Sequence, residues 1–347
     1  MFPPSRQAQR RGEMEHRRFG STGLKVSRLC LGTMSLGSSA WKGWVLDEDK
    51  AVPILRRALD HGINFFDMAD WYSLGRNEEV VGRSLIRMEA RERLVLATKV
   101  FYPMSDAPND GGLSRKHILA SIDASLRRIG TDHVDLYIVH AFDPSTPIEE
   151  TMEALHDVVR QGKALYLGAS TMYAWQFAEM NAVARANGWT PFVNMQCQLS
   201  LLYREEEREM LPYCAHAGLA VTTFSPLARG YLTGATTTAR ARHDPYLEWF
   251  GDAIDQEIAR RTRVLAERRG VDPAAIALAW VAGRPAVTAP IIGADAPDQI
   301  DAAVAGSALP LDPEERAFLE APYRPRDMIN DYNPVRRPRA LEATQEG

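Results

Sequence analysis

Short apolar runs alternate with longer amphipathic segments along most of this chain. Apolar runs of this length read as buried strands, and segments with apolar residues three and four apart read as helices with one buried face. The first predicted strand is Arg28-Leu29-Cys30-Leu31, ending in Gly32-Thr33-Met34. Phe65-Phe66 is the second and Leu94-Val95-Leu96-Ala97 the third. The remaining five are expected at 134–139, 164–168, 192–195, 219–223 and 287–292. Helices are predicted at 47–61, 78–85, 114–129, 147–161, 174–186, 205–217, 254–269, 273–283 and 297–305. Ser114 is a candidate N-cap, and Gly62, Gly130 and Gly162 stand where helices stop. Ahead of the repeat, His16-Arg17-Arg18-Phe19 and Lys25-Val26-Ser27 flank the turn Gly20-Ser21-Thr22-Gly23, a hairpin signal.

Eight strand-then-helix units with short connections predict an α/β fold, a closed (β/α)8 TIM barrel with an N-terminal β-hairpin. A doubly wound sheet is the alternative. No G-x-G-x-x-G follows any predicted strand, which weighs against it. One barrel domain is expected over 16–329, after a disordered extension at 1–15 and before a flexible tail at 330–347. A long insertion rich in Gly, Thr and Arg spans 225–251.

Composition narrows the function classes. The 347 residues are 45% hydrophobic and 25% charged, the balance of a water-soluble enzyme-sized protein. Net charge is -4 and the pI about 6.1, so there is no electrostatic case for nucleic acid. Cys30, Cys197 and Cys214 lie far apart, which suggests neither a metal site nor a disulfide framework and fits a reducing, cytoplasmic setting. No apolar run approaches the ~20 residues of a membrane span. Outer helix faces show no apolar stripe from which an oligomeric state could be read.

In a barrel the strand C-termini share one rim, so polar residues there converge although distant in sequence. Asp67 follows the second strand, and Tyr72 lies in the loop after it. Lys99 follows the third strand, His140 the fourth, Ser170 the fifth, Gln196 the sixth and Phe224-Ser225 the seventh. Each has an ordinary reading as a turn, cap, packing or solvated residue. Together, an acid, a phenol, an amine and an imidazole on adjacent strands form a proton-transfer set. A free phenol has a pKa near 10, and a lysine cation beside it favours phenolate. Asp67 would hold the Lys99 ammonium, and His140 could orient a substrate carbonyl.

At these residues the chain resembles the aldo-keto reductases. The segment FFDMADWYSLGRNEEVVGRSL is similar to that family's second-strand signature, and ATKV and DLYIVH to its Lys and His segments. LCLGTMSLG, GKALYLGAS, NMQ, FSPLARGYLTG and PIIGA are further matches, so the resemblance runs from about residue 17 to 325. RKHILASIDASLRRIGTDHVDLYIVH and TPIEETMEALHDVVRQGKA resemble the aryl-alcohol-dehydrogenase-like branch.

The resemblance implies NAD(P)H-dependent reduction of a small-molecule aldehyde or ketone, with Tyr72 as general acid beside Asp67, Lys99 and His140. It implies that Ser170, Thr171 and Gln196 hold the nicotinamide carboxamide and that Phe224 stacks on the ring. Gly32, Thr33, Met34 and Asp67 would also contact the cofactor. Ser225, Pro226, Leu227, Arg229 and Gly230 would wrap its pyrophosphate, and Gly293, Ala294, Asp295 and Gln299 would meet the adenosine end. Trp71, Phe101, Tyr72 and His140 would face substrate, with Trp41, Trp44, Tyr102 and Phe142 as further aromatic walls. NADPH is the family default. The loop from Gly293 to Gln299 carries two acids and no base, so NADH is also possible. Asp295 has a second reading, as the cap of the last helix. Thr171, Leu199, Phe224 and Met68 depart from the family's usual residues without removing the four-residue set. Two other functions stay open: a cofactor-binding, redox-sensing barrel subunit, and a sugar-modifying enzyme that uses the cofactor transiently.

Overall fold

A run such as Val-Leu-Ala-Thr-Lys-Val can be buried on both faces only if helices cover one side and other strands the other. A computed structural model of the chain, which describes residues 14–234 and 241–328, shows that arrangement. The expected N-terminal extension up to residue 13, the C-terminal tail and residues 235–240 of the insertion lie outside the described residues. A hairpin, β1 (His16–Arg18) and β2 (Lys25–Ser27), comes first. Eight parallel strands then close a barrel: β3 (Cys30–Gly32), β4 (Phe65–Asp67), β5 (Val95–Val100), β6 (Val134–Val139), β7 (Ala164–Ser170), β8 (Phe192–Gln198), β9 (Ala220–Phe224) and β10 (Ala289–Ile292), with β10 paired to β3. The fold is therefore a (β/α)8 TIM barrel with an N-terminal hairpin.

Two apolar layers hold it together. Inside the barrel, Cys30, Phe65, Val95, Ala97, Leu136, Ile138 and Ile291 pack with Phe19 and Val26 of the hairpin region. The Phe19 ring meets Phe65 edge-on at 5.7 Å, so the hairpin plugs the N-terminal mouth. Gly20, at φ +58°, sits where a Cβ would lie 2.6 Å from the Ala220 nitrogen. Only glycine allows both that backbone and that approach. The larger layer lies between strands and helices, with Leu31, Phe66, Leu96, Tyr137, Val139 and Leu167 on its strand side.

The helices follow the predicted order: α1 (Glu48–Asp60), α2 (Arg76–Met88), α3 (Arg115–Ile129), α4 (Ile148–Arg160), α5 (Ala174–Ala186), α6 (Met210–Ala217), α7 (Ala253–Arg269), α8 (Pro273–Ala282) and α9 (Pro297–Ser307). Ser114 caps α3 by accepting from the His117 N–H, and Gly130 ends it in the left-handed region. A tenth helix, α10 (Pro313–Glu320), went unpredicted; it is eight residues long and buries only Leu319. The helix expected over 205–217 splits into a 3-10 turn, Glu205–Glu207, and α6. Glu205 there turns to Arg208 and to the Tyr323 hydroxyl.

The most consequential difference concerns strand ends. The third strand does not stop at Ala97 but continues through Lys99 to Val100. Ser170, Gln196 and Phe224 likewise lie within the last residues of β7, β8 and β9. Reading apolar runs stops the third, fifth, sixth and seventh strands one to three residues early. Here the barrel accepts those polar side chains because strand alternation aims them at one another.

Candidate active site

Asp67 ends β4 in register with Gly32 of β3 and Ala97 of β5. Lys99 lies two residues beyond Ala97, so it shares the inward face with that residue. Thr98, on the opposite face, donates to the Glu78 carboxylate of α2. The Lys99 ammonium, 0% exposed, donates to Asp67 Oδ2 at 2.6 Å, to the Met68 carbonyl at 2.9 Å and to the Tyr72 hydroxyl at 3.1 Å. All three donors of the buried ammonium are satisfied. Gln196 of β8 reaches across the barrel and donates to Asp67 Oδ1 at 3.0 Å. Both carboxylate oxygens are thus occupied, and Asp67 is held in one orientation.

Burial works to lower the Lys99 pKa, but Asp67 and then Tyr72 outweigh it, and the net shift is upward. Lys99 is therefore a permanent cation at neutral pH. His140 follows β6 and meets the Tyr72 ring edge-on at 5.7 Å. Burial, reinforced by the Lys99 cation, pushes the His140 pKa well below its usual value. The imidazole is neutral, and its buried Nδ1 has no hydrogen-bond partner among the described residues. A neutral ring beside an ammonium and a phenol is a hydrogen-bonding group for a ligand oxygen, not a second cation.

Tyr72 does not sit in an open loop. It begins a 3-10 turn, Tyr72–Gly75, in which Ser73 and Leu74 hold φ of 50° and 48°. Non-glycine residues in that region are strained, by about 1–3 kcal/mol each. The turn is anchored from behind by Asp70, whose carboxylate accepts from the Trp71 N–H at 2.6 Å and from the Ser121 hydroxyl of α3 at 2.8 Å. Burial, then Glu78, push the Asp70 pKa up to about 7. Sequence reading missed Asp70. Its only signal was a second acid three residues after Asp67.

Of the expected cofactor contacts, Gly32, Asp67, Ser170, Gln196 and Phe224 share the C-terminal rim. The Thr33 hydroxyl donates to the Asp67 carbonyl at 2.8 Å, and Met68, like Thr33, is buried. Met34, two residues past the end of β3, is half-buried. Ser170 and Thr171 place their hydroxyls 3.2 Å apart. After β9, Ser225, Ala228 and Arg229 all hold positive φ, followed by Gly230, in a loop that also includes Pro226 and Leu227. Runs of left-handed backbone turn N–H groups toward a common concavity that suits anions. Arg229 ion-pairs with Asp244 at 2.7 Å, yet its buried Nε has no partner among the described residues. A ring face at Phe224, hydroxyls at Ser170 and Thr171, and this loop fit a dinucleotide laid along the rim.

At the other end of the rim, Gly293, Ala294, Asp295 and Gln299 lie between β10 and the first turn of α9. The reading of Asp295 as a helix cap is overturned: the N-cap is Ala296, with no side-chain cap. The Gln299 side chain accepts from the Asp295 N–H at 2.8 Å instead. Pro297 leaves the first turn with one N–H fewer to satisfy, which removes much of the need for a cap. Among the described residues no cluster of His, Cys, Asp and Glu could hold a metal ion, and no helix is long and apolar enough to cross a membrane.

Comparison with known proteins agrees with this geometry. The sequence profile of the aldo/keto reductase family matches residues 28–323. Versiconal hemiacetal acetate reductase of Aspergillus parasiticus is 41% identical over 338 residues, covering 90% of this chain and 98% of that protein. An aldo-keto reductase of Alternaria alternata is 40% identical, covering 89% and 91%. A putative aryl-alcohol dehydrogenase of Schizosaccharomyces pombe is 40% identical, covering 88% and 95%. The chain belongs to the aldo/keto reductase family.

Proposed function

We propose that this protein is an NAD(P)H-dependent carbonyl reductase, converting an aldehyde or ketone to an alcohol with Tyr72 as the proton donor. The observation that carries the reading is the Lys99 ammonium bridging Asp67 and the Tyr72 hydroxyl at 2.6 and 3.1 Å, dry and at the strand-end rim. NAD(P)H bound there would supply a hydride to the carbonyl carbon. Ser170, Thr171, Gln196 and Phe224 would hold its nicotinamide end, the 225–230 loop its phosphates, and the loop before α9 its adenosine end.

The remaining chemistry belongs to the side chains. Tyr72 donates its hydroxyl proton to the carbonyl oxygen as negative charge develops there. Lys99 stabilises the phenolate left behind, since a cation in hydrogen-bond contact favours the charged form. Asp67 keeps that cation in place, and Gln196 keeps Asp67 from rotating away. His140, neutral and packed against the Tyr72 ring, donates a hydrogen bond that aligns the substrate oxygen. General-acid help of this kind supplies about 10²–10⁴-fold.

Tyr72→Phe tests the assignment. The variant should bind NADPH as the parent does and lose at least about 10²-fold in kcat for an aromatic aldehyde. Near-full activity in Tyr72→Phe would remove the proposed donor. Absence of NADPH consumption by the parent across a broad carbonyl panel would favour the redox-sensing role instead. Which nucleotide is preferred is decided separately by comparing kcat/KM with NADPH and NADH.

A further inference from the structure

Asp70 stands between Lys99 and Tyr72 and reaches the backbone on both sides. Its own N–H donates to the Lys99 carbonyl at 3.3 Å. Its Oδ1 accepts from the N–H of Trp71, one residue before Tyr72, at 2.6 Å. Its Oδ2 accepts from the Ser121 hydroxyl of α3 at 2.8 Å, and the residue is 0% exposed. One side chain is therefore bonded to the turn that carries the phenol and to a helix behind it, while its backbone is bonded to the strand that carries the ammonium.

The Tyr72 turn needs such support. Ser73, Leu74 and Gly75 hold φ of 50°, 48° and 88° in succession, and Leu74 is 53% exposed, so its side chain packs little. Strained backbone of this kind persists only where its surroundings over-determine it. At the far end of the turn the surroundings are Arg128 of α3: a Cβ on Gly75 would lie 2.6 Å from the Arg128 Cδ. Arg128 is itself held by Glu78, its Nε donating to that carboxylate at 2.6 Å, and Glu78 also accepts from Thr98, the neighbour of Lys99. At the near end the surroundings are Asp70. Without its carboxyl the Trp71 N–H loses its partner, and an N–H left unpaired in a protein interior drives the chain to rearrange.

We infer that Asp70 is a positioning residue for the reduction: by bonding the start of the turn to α3 and to the Lys99 strand, it sets the 3.1 Å contact between the Tyr72 hydroxyl and the Lys99 ammonium. This rests on the reductase reading above and adds to it the residue that aims the proton donor. A displacement of about 1 Å in a reacting group costs up to about 10²-fold in rate. What Asp70 supplies is an oxygen for an N–H rather than a charge. Burial, then Glu78, push its pKa up to about 7, and the protonated acid still accepts from the Trp71 N–H through its carbonyl oxygen. An Asn amide at this position does the same and donates to the Ser121 hydroxyl.

The test compares Asp70→Ala, Asp70→Asn and Ser121→Ala with the parent. Each is assayed for kcat and KM with NADPH and 4-nitrobenzaldehyde, and for NADP⁺ binding by quenching of tryptophan fluorescence. Asp70→Ala should lose about ten- to a hundredfold in kcat, with KM and NADP⁺ affinity within about threefold of the parent. Asp70→Asn should recover most of the rate. Ser121→Ala, which spares the Trp71 contact, should lose about threefold or more in kcat but less than Asp70→Ala. In a Tyr72→Phe background Asp70→Ala should cost little further, because the group it aims is gone. An unchanged kcat in Asp70→Ala, a loss carried by KM or by NADP⁺ affinity, or a loss that adds in full to that of Tyr72→Phe would overturn the assignment while leaving the reductase reading intact. Should Asp70→Ala not fold, Ser121→Ala and Asp70→Asn decide: parental kcat in the first, or a tenfold loss in the second, is equally fatal. Near-full activity in Tyr72→Phe alone would instead refute the proton donor of the reductase reading.

Discussion

Lys99→Met is the sharpest perturbation, because it separates what the buried charges do for the fold from what they do for the chemistry. At 2.6 Å and an effective dielectric near 20, the Lys99–Asp67 attraction is about 6 kcal/mol, most of which offsets the desolvation of the two groups. Removing the ammonium leaves Asp67, 3% exposed, with Gln196 as its remaining side-chain donor among the described residues. Stranding one member of a buried pair costs about 3–5 kcal/mol, so the melting temperature should fall on the order of 5–10 °C. Asp67→Asn in the same chain removes the stranded charge, and the amide still accepts from Gln196. The double variant should recover much of that loss by thermal denaturation followed by circular dichroism. Its reduction rate should not recover: with no cation beside Tyr72, single-turnover decay of NADPH absorbance stays at least about 10²-fold slow. A double variant that regained the parent rate would show that the ammonium acts only as a structural counter-ion. A Lys99→Met single variant reducing aldehydes within about threefold of the parent would do the same.

Two further outcomes follow from buried groups. Asp70 has a pKa raised from 3.8 to about 7, so the native state holds a proton that the unfolded chain releases between those values. The contribution of this group to stability should therefore be greatest near pH 4 and fall as pH rises toward 7, by an amount on the order of 4 kcal/mol. Asp70→Asn, whose amide can serve both the Trp71 N–H and the Ser121 hydroxyl, should flatten that decline in chemical denaturation between pH 5 and 8; an unchanged slope would rule out Asp70 as its source. Gly82 of α2 has its missing Cβ position 2.7 Å from the Ile129 Cα of α3. Gly82→Val should force the two helices apart and cost about 1–3 kcal/mol in a thermal melt, and no loss would mean that the helices slide freely.

Periodicity, with no G-x-G-x-x-G after any strand to favour a doubly wound sheet, pointed to the barrel. Eight apolar runs, each followed by an amphipathic helix, admit few closed solutions, and the turn glycines and the Ser114 cap marked most helix ends to within a residue or two. Asp67, Tyr72, Lys99 and His140 were legible because chemistry-bearing residues stand beside apolar runs in the order that adjacent strands require. Helix α10 was not legible, being eight residues long with only Leu319 buried, and neither was the true length of β5, since Lys99 looks like the end of a strand until its partners are present.

What only the tertiary structure decided is how those residues face one another. That Gln196 rather than solvent holds Asp67, that Ser121 ties down the Asp70 carboxylate behind the Tyr72 turn, and that Trp71 lies over Lys42 all depend on contacts between residues tens of positions apart. Hydrophobic spacing is a local property and survives in the sequence. The direction of a polar side chain, and the proton it keeps, are set by neighbours that meet it only when the barrel closes.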